Sequence, residues 1–156
     1  MESVYIETSV VSYLVARPSR EPVTAWRQQL TNEWWAERRG LFACVISQEV
    51  IAEALEGDAE MAAKRMAALR GLPLVTGDAE GAKLAAELLA RGLFPANAQA
   101  DAHHLAVAIC AEVDYLLTWN YRHLANAQVL HRLEFFLGGR GLHLPRVCTP
   151  EELMGT

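Results

Sequence analysis

Three carboxylates stand where one fold can gather them. Glu7 follows the short β-prone run Ser3 to Ile6, Glu53 lies in the helical segment SQEVIAEAL, and Asp101 opens the apolar run from Ala102 to Ala111. Each is placed where a strand ends or a covering helix begins, which in α/β proteins is where ligands and chemistry collect. Uncompensated, the three would repel one another and raise their own pKa values. A hard divalent cation resolves this, because Mg²⁺ takes oxygen ligands at roughly 2.0–2.1 Å in octahedral geometry and keeps waters for chemistry. Held this way, Mg²⁺ activates water and neutralises charge on a phosphodiester during in-line attack. The chemistry these residues point to is metal-assisted phosphodiester hydrolysis.

Rival chemistries lack their residues. No Cys or His pair has zinc spacing, and GxGxxG, GxxxxGK[ST], GxSxG and HExxH are all absent. Glu49 shares a helix face with Glu53, but its first-turn position fits a solvated acid at the positive end of the dipole. Glu53, flanked by Ile51 and Ala54, is expected to face inward. His103 and His104 read as structural histidines. His104, three residues after Asp101 and on its face, is the better placed to hold a carboxylate or a loop.

These residues need a frame, and the hydrophobic pattern supplies it. Strands are expected at Ser3 to Ile6, Leu41 to Ile46, Pro73 to Thr76, Val113 to Thr118 and Leu142 to Val147, the third and last at sheet edges because of their prolines. Helices are expected over Val10 to Ala16, from Val23 to Gly40, after the N-cap Ser47, over Asp58 to Arg70, from Asp78 to Gly92, over Ala102 to Ala111, and downstream of Asn120 to about Leu137. Thr149-Pro150-Glu151-Glu152 has the form of a capping box. Trp26, Trp34 and Trp35 are read as packing residues rather than as stacking partners of bases. The alternation implies an α/β fold with a central parallel sheet and helices on both faces, built as a single domain over residues 1–156.

Composition narrows the function further. With 156 residues, 52% of them apolar, the chain can bury one sizeable core. The net charge of −5 gives no global attraction to a nucleic acid, so any such binding must rest on a local patch. Cys44, Cys110 and Cys148 are odd in number and lie in apolar segments, as reduced core thiols do. A cytoplasmic protein without a secretory leader or membrane span is expected. The tryptophan-bearing helix offers apolar surface suited to a homodimer.

VYIETSVVSYL, SQEVIAEALEGD and DAHHLAVAICAEVDYLLTWNYRHLAN, in this order and spacing, resemble the acidic motifs of PIN-domain ribonucleases, particularly VapC-type toxins of toxin–antitoxin pairs. The likeness covers nearly the whole chain. It implies a PIN-like three-layer fold and a carboxylate-lined cleft binding Mg²⁺ or Mn²⁺. It also implies an RNA substrate and a cognate antitoxin partner. By position Glu7 takes the place of the first acid, which is usually Asp, with Ser9 as the hydroxyl two residues on. Glu53 matches the second acid and Asp101 the third. Asn120 stands at the fourth position, able to orient water or a phosphate by hydrogen bonding but adding no charge. His123 stands where some members carry an acid. Metal ligation by Glu7, Glu53 and Asp101, with Asn120 beside them, is the implied site. The Glu7 and Asn120 departures leave a second reading, a non-catalytic PIN-like module that binds RNA or a protein.

Overall fold

The computed structural model describes residues 1–155. Four short strands, β1 (Ser3–Ile6), β2 (Ala43–Val45), β3 (Tyr115–Leu117) and β4 (Arg146–Cys148), form an all-parallel sheet in the order β2-β1-β3-β4. Val4, Tyr5, Ile6, Leu116 and Leu117 have no solvent exposure. Successive strand residues point to opposite faces, so burial of consecutive residues means that both faces of the central strands are covered. The cover comes from seven helices: α1 (Thr8–Val15), α2 (Pro22–Glu37), α3 (Gln48–Ala54), α4 (Ala59–Leu69), α5 (Asp78–Ala90), α6 (Gln99–Cys110) and α7 (Ala127–Gly138). This is the expected α/β architecture, a parallel sheet covered by helices on both faces.

Local chemistry sets where the helices begin. Ser47 caps α3 by accepting from Val50 N–H (3.3 Å), and Asp58 caps α4 by accepting from Met61 N–H (3.0 Å). α5 closes tightly on α6 because Gly81 has no side chain. A Cβ there would stand 2.6 Å from Val107 Cγ2. Trp34 is fully buried, stacked on Phe42 at 6.0 Å, and its indole donates to Leu153 O (3.1 Å). Trp35 is half-buried against the core, whereas Trp26 departs from the packing expectation and is 45% exposed.

Several expected elements differ in extent, β2 and β3 among them, which are shorter than the runs Leu41 to Ile46 and Val113 to Thr118. Residues 73–76 contribute only an isolated parallel bridge, Ile46 to Leu74, in place of a strand. The last strand starts at Arg146, just beyond Pro145, which has no N–H to offer a ladder. The helix expected downstream of Asn120 forms as α7, beginning at Ala127 after a turn. Asn120 Oδ1 accepts from His123 N–H (3.1 Å) and holds a turn, and Asn126 Oδ1 then caps α7 through Gln128 and Val129 N–H. The capping box at Thr149 and Glu152 forms reciprocally, at 3.0 and 3.3 Å, but closes a turn rather than a helix.

The three thiols are free. Burial pushes Cys44 up to about 11 and Cys148 up to about 12, so both stay protonated and inert. No described helix is long and apolar enough to cross a membrane.

Candidate metal centre

The sheet register itself brings the first two polar groups together. Ile6 pairs with Leu117, so the next residue of each strand, Glu7 and Thr118, leaves the sheet at the same end, and Glu7 N–H donates to Leu117 O (3.0 Å). Glu7 is 6% exposed and is the N-cap of α1. Its Oε2 accepts from Ser9 N–H (3.0 Å), and its Oε1 accepts from Ser9 Oγ (2.5 Å) and Thr118 Oγ1 (2.6 Å). Glutamate is a rare choice for a helix cap. Here its longer side chain turns back far enough to reach both its own helix and the next strand.

Glu53, on α3, faces inward as its apolar neighbours imply. Its Oε1 accepts from Thr8 Oγ1 and bonds His104 Nε2, each at 2.5 Å. His104 comes from α6 and is fully buried. Its Nδ1 meets Tyr5 Oη (2.7 Å), and Tyr5 Oη meets Ser47 Oγ (2.6 Å). Ser47 caps α3, the helix that carries Glu53, so the relay returns to the element where it began.

The surroundings of Glu53 and His104 favour the charged form of both partners. Burial alone would lower His104, but the bond to Glu53 and the charges of Glu7, Glu53 and Glu49 outweigh it, and its pKa is raised. Burial alone would raise Glu53, and the bond and charge from His104 with the Thr8 hydroxyl hold it below the ordinary carboxylate value.

Ligand-type atoms of Glu7, Glu53 and His104 lie within 4.8 Å of one another. Asp101 stands outside that group, one turn before His104 on α6, about 4.5 Å along the axis. Its Oδ1 accepts from Asn120 Nδ2 (2.9 Å) and its Oδ2 meets His123 Nδ1 (2.9 Å). Asn120 N–H also donates to Thr118 Oγ1 (2.9 Å). The chain Asp101, Asn120, Thr118, Glu7 thus ties the α6 carboxylate to the β1 carboxylate. Glu49 acts on His104 through its charge but makes no hydrogen bond within this network among the described residues.

The donor set fits a hard divalent cation. Glu53 Oε2 accepts no hydrogen bond from the described residues, Glu7 Oε2 accepts only one, and an ionised carboxylate offers about four lone-pair sites. His104 is bonded at both nitrogens, which makes it a charge partner of Glu53 rather than a ligand in this arrangement.

The sequence reading anticipated His104 as the holder of a carboxylate and Ser9 as the hydroxyl beside Glu7. It missed Tyr5, Thr8 and Thr118, whose hydroxyls are supplied by three separate elements with no shared spacing. It also assigned no contact to His123, although a histidine three residues after Asn120, in a turn, was the available signal.

No family model matches the chain, and no curated protein matches it. Among solved structures, the chain is similar to one in the crystal structure of VapBC2 from Rickettsia felis bound to a DNA fragment from their promoter. The TM-score is 0.51 at 15% sequence identity, over 94% of this chain and 98% of that one. At that identity the likeness is one of fold. The parallel sheet that aligns Glu7 with Thr118 is therefore the PIN-like fold that the ordered acidic motifs resemble.

Proposed function

We propose that the protein is a metal-dependent endoribonuclease, the toxin of a toxin–antitoxin pair, using Mg²⁺ with Mn²⁺ able to substitute. The observation that carries this is the approach of two carboxylates from different elements, Glu7 and Glu53, at the end of β1, with Asp101 joined to them through Asn120 and Thr118. Glu7, Glu53 and Asp101 would hold the cation. Once bound, the cation supplies an activated water and neutralises charge on the scissile phosphate. Ser9 and Thr118 fix the Glu7 carboxylate so that it cannot swing with the substrate. His104 fixes Glu53 and compensates its charge. Asn120 and His123 orient Asp101 from opposite oxygens. The VapBC2 likeness supports the toxin assignment and an antitoxin partner.

Calorimetric titration with Mn²⁺ and cleavage of single-stranded RNA, with and without chelator, test this directly. Saturable binding and chelator-sensitive cleavage are expected. One observation favours the second reading, a non-catalytic PIN-like module: one oxygen of each carboxylate is already taken, Glu7 Oε1 by the hydroxyls of Ser9 and Thr118 and Glu53 Oε1 by Thr8 and His104. Absence of both Mn²⁺ binding and cleavage would decide for it.

A further inference from the structure

Beside the carboxylates lies a cluster that the proposed reaction does not use. Trp119 sits between Thr118 and Asn120, and its backbone N–H donates to Ser9 Oγ (2.9 Å), the hydroxyl that also bonds Glu7. Its indole N–H donates to Thr31 Oγ1 on α2 (2.7 Å), which locks the ring in place. Arg27, also on α2, places its guanidinium 5.7 Å from the Trp119 ring centre and 5.2 Å from that of Tyr121. Two further aromatics complete the cluster: Tyr13, 5.9 Å from Trp119, and Trp26, 6.3 Å from it. Tyr121 is 43% exposed and Trp26 is 45% exposed.

Arg27 is held on aromatic faces with no carboxylate in direct contact. In a chain of net charge −5 it makes no ion pair among the described residues, and its one side-chain hydrogen bond is to Tyr13 Oη (3.3 Å). The exposed arginines at Phe136 are different. Arg91 and Arg140 both pair with Glu87. A guanidinium held on aromatic faces with donors to spare suits a phosphate, and exposed rings next to it suit unpaired bases.

We propose that Arg27, Tyr121 and Trp26 form a substrate subsite that grips single-stranded RNA beside the scissile bond, Arg27 on a backbone phosphate and Tyr121 or Trp26 stacked on an unpaired base. Duplex RNA keeps its bases stacked within the helix and offers none to these rings. The inference rests on the endoribonuclease reading.

The test uses the full chain carrying Asp101→Asn, so that RNA is bound but not cut, with labelled mixed-sequence single-stranded RNA titrated at several salt concentrations. Adding Arg27→Gln is expected to weaken binding about tenfold and to reduce the log–log salt slope by about one. Tyr121→Ala is expected to weaken it about tenfold with the slope unchanged. In the otherwise native protein both raise KM more than they lower kcat. Arg27→Lys keeps the charge and is expected to restore the slope, which separates phosphate contact from any loss of folding. RNA affinity and KM unchanged in a protein that does cleave RNA overturn the subsite alone and leave the surface to a protein partner. Failure of the parent protein to bind or cut any RNA overturns the subsite and the endoribonuclease reading together.

Discussion

His104 Nε2 lies 2.5 Å from Glu53 Oε1, and the two shift their pKa values in opposite directions, as members of one ion pair do. His104, raised above 6.5, contributes stability that is complete below that ordinary value and is lost as pH rises through the raised one. Glu53, lowered below 4.5, contributes stability that is complete above that value and is lost as pH falls through the lowered one. The pair is therefore strongest between the two ordinary values. In chelator, His104→Gln is expected to cost about 2 kcal/mol within that window and progressively less as pH rises. Melting curves across pH check this, and a difference that does not narrow in alkali would remove the ion pair.

Asp101→Asn is expected to abolish Mn²⁺ binding and to lower RNA cleavage at least a hundredfold. The fold should hold, since Asn keeps the size of the side chain and a metal-free site gains from losing a like charge. Thermal melting of the apo protein within about 2 °C of the native value, or above it, accompanies that result. Native-level cleavage by the variant would falsify the metal-site assignment.

Glu53→Gln is expected to cut cleavage at least tenfold, while Glu49→Gln changes it less than about twofold. Both lie on α3, but only Glu53 contacts Thr8 and His104. Parallel rate measurements decide, and a larger effect at Glu49 would mean that α3 presents its first turn to the substrate instead.

Glu7→Asp shortens a side chain that reaches Ser9 and Thr118 at once. Metal affinity is expected to fall, and to fall more for Mg²⁺ than for Ca²⁺, because octahedral Mg²⁺ tolerates poor geometry badly. Glu7→Gln keeps the length and removes the charge. If Glu7→Gln binds and cleaves like the native protein, Glu7 is a helix cap and nothing more.

How far these features could be read in advance depended on their range. Ser3 to Ile6 and the apolar run into α6 carry their periodicity in contiguous residues, so β1 and α6 were legible, as was the turn of Glu53 toward the core. Residues 73–76 have the composition of a strand but make only one bridge beside Ile46, and composition does not report how many ladder bonds a segment will find. The turn between Asn120 and Asn126 sets the start of α7 at Ala127 because side-chain caps compete locally with helical bonding. The hydroxyls of Tyr5, Thr8 and Thr118 were illegible as a set. Their common address exists only once β1 and β3 pair and α3 and α6 pack over them.

Gly81 touches no polar group of the centre, yet it meets Val107 three residues beyond His104 on the same helix. A single added methyl would have to be absorbed at the α5–α6 contact, by turning Val107 or by shifting one helix against the other, and α6 bears both Asp101 and His104. The geometry of the candidate metal centre can thus be detuned from a position outside it. If the endoribonuclease reading holds, a library of random variants screened for loss of RNA cleavage should yield position 81 alongside the acids themselves, as an inactivating change that leaves every polar group of the centre in the chain.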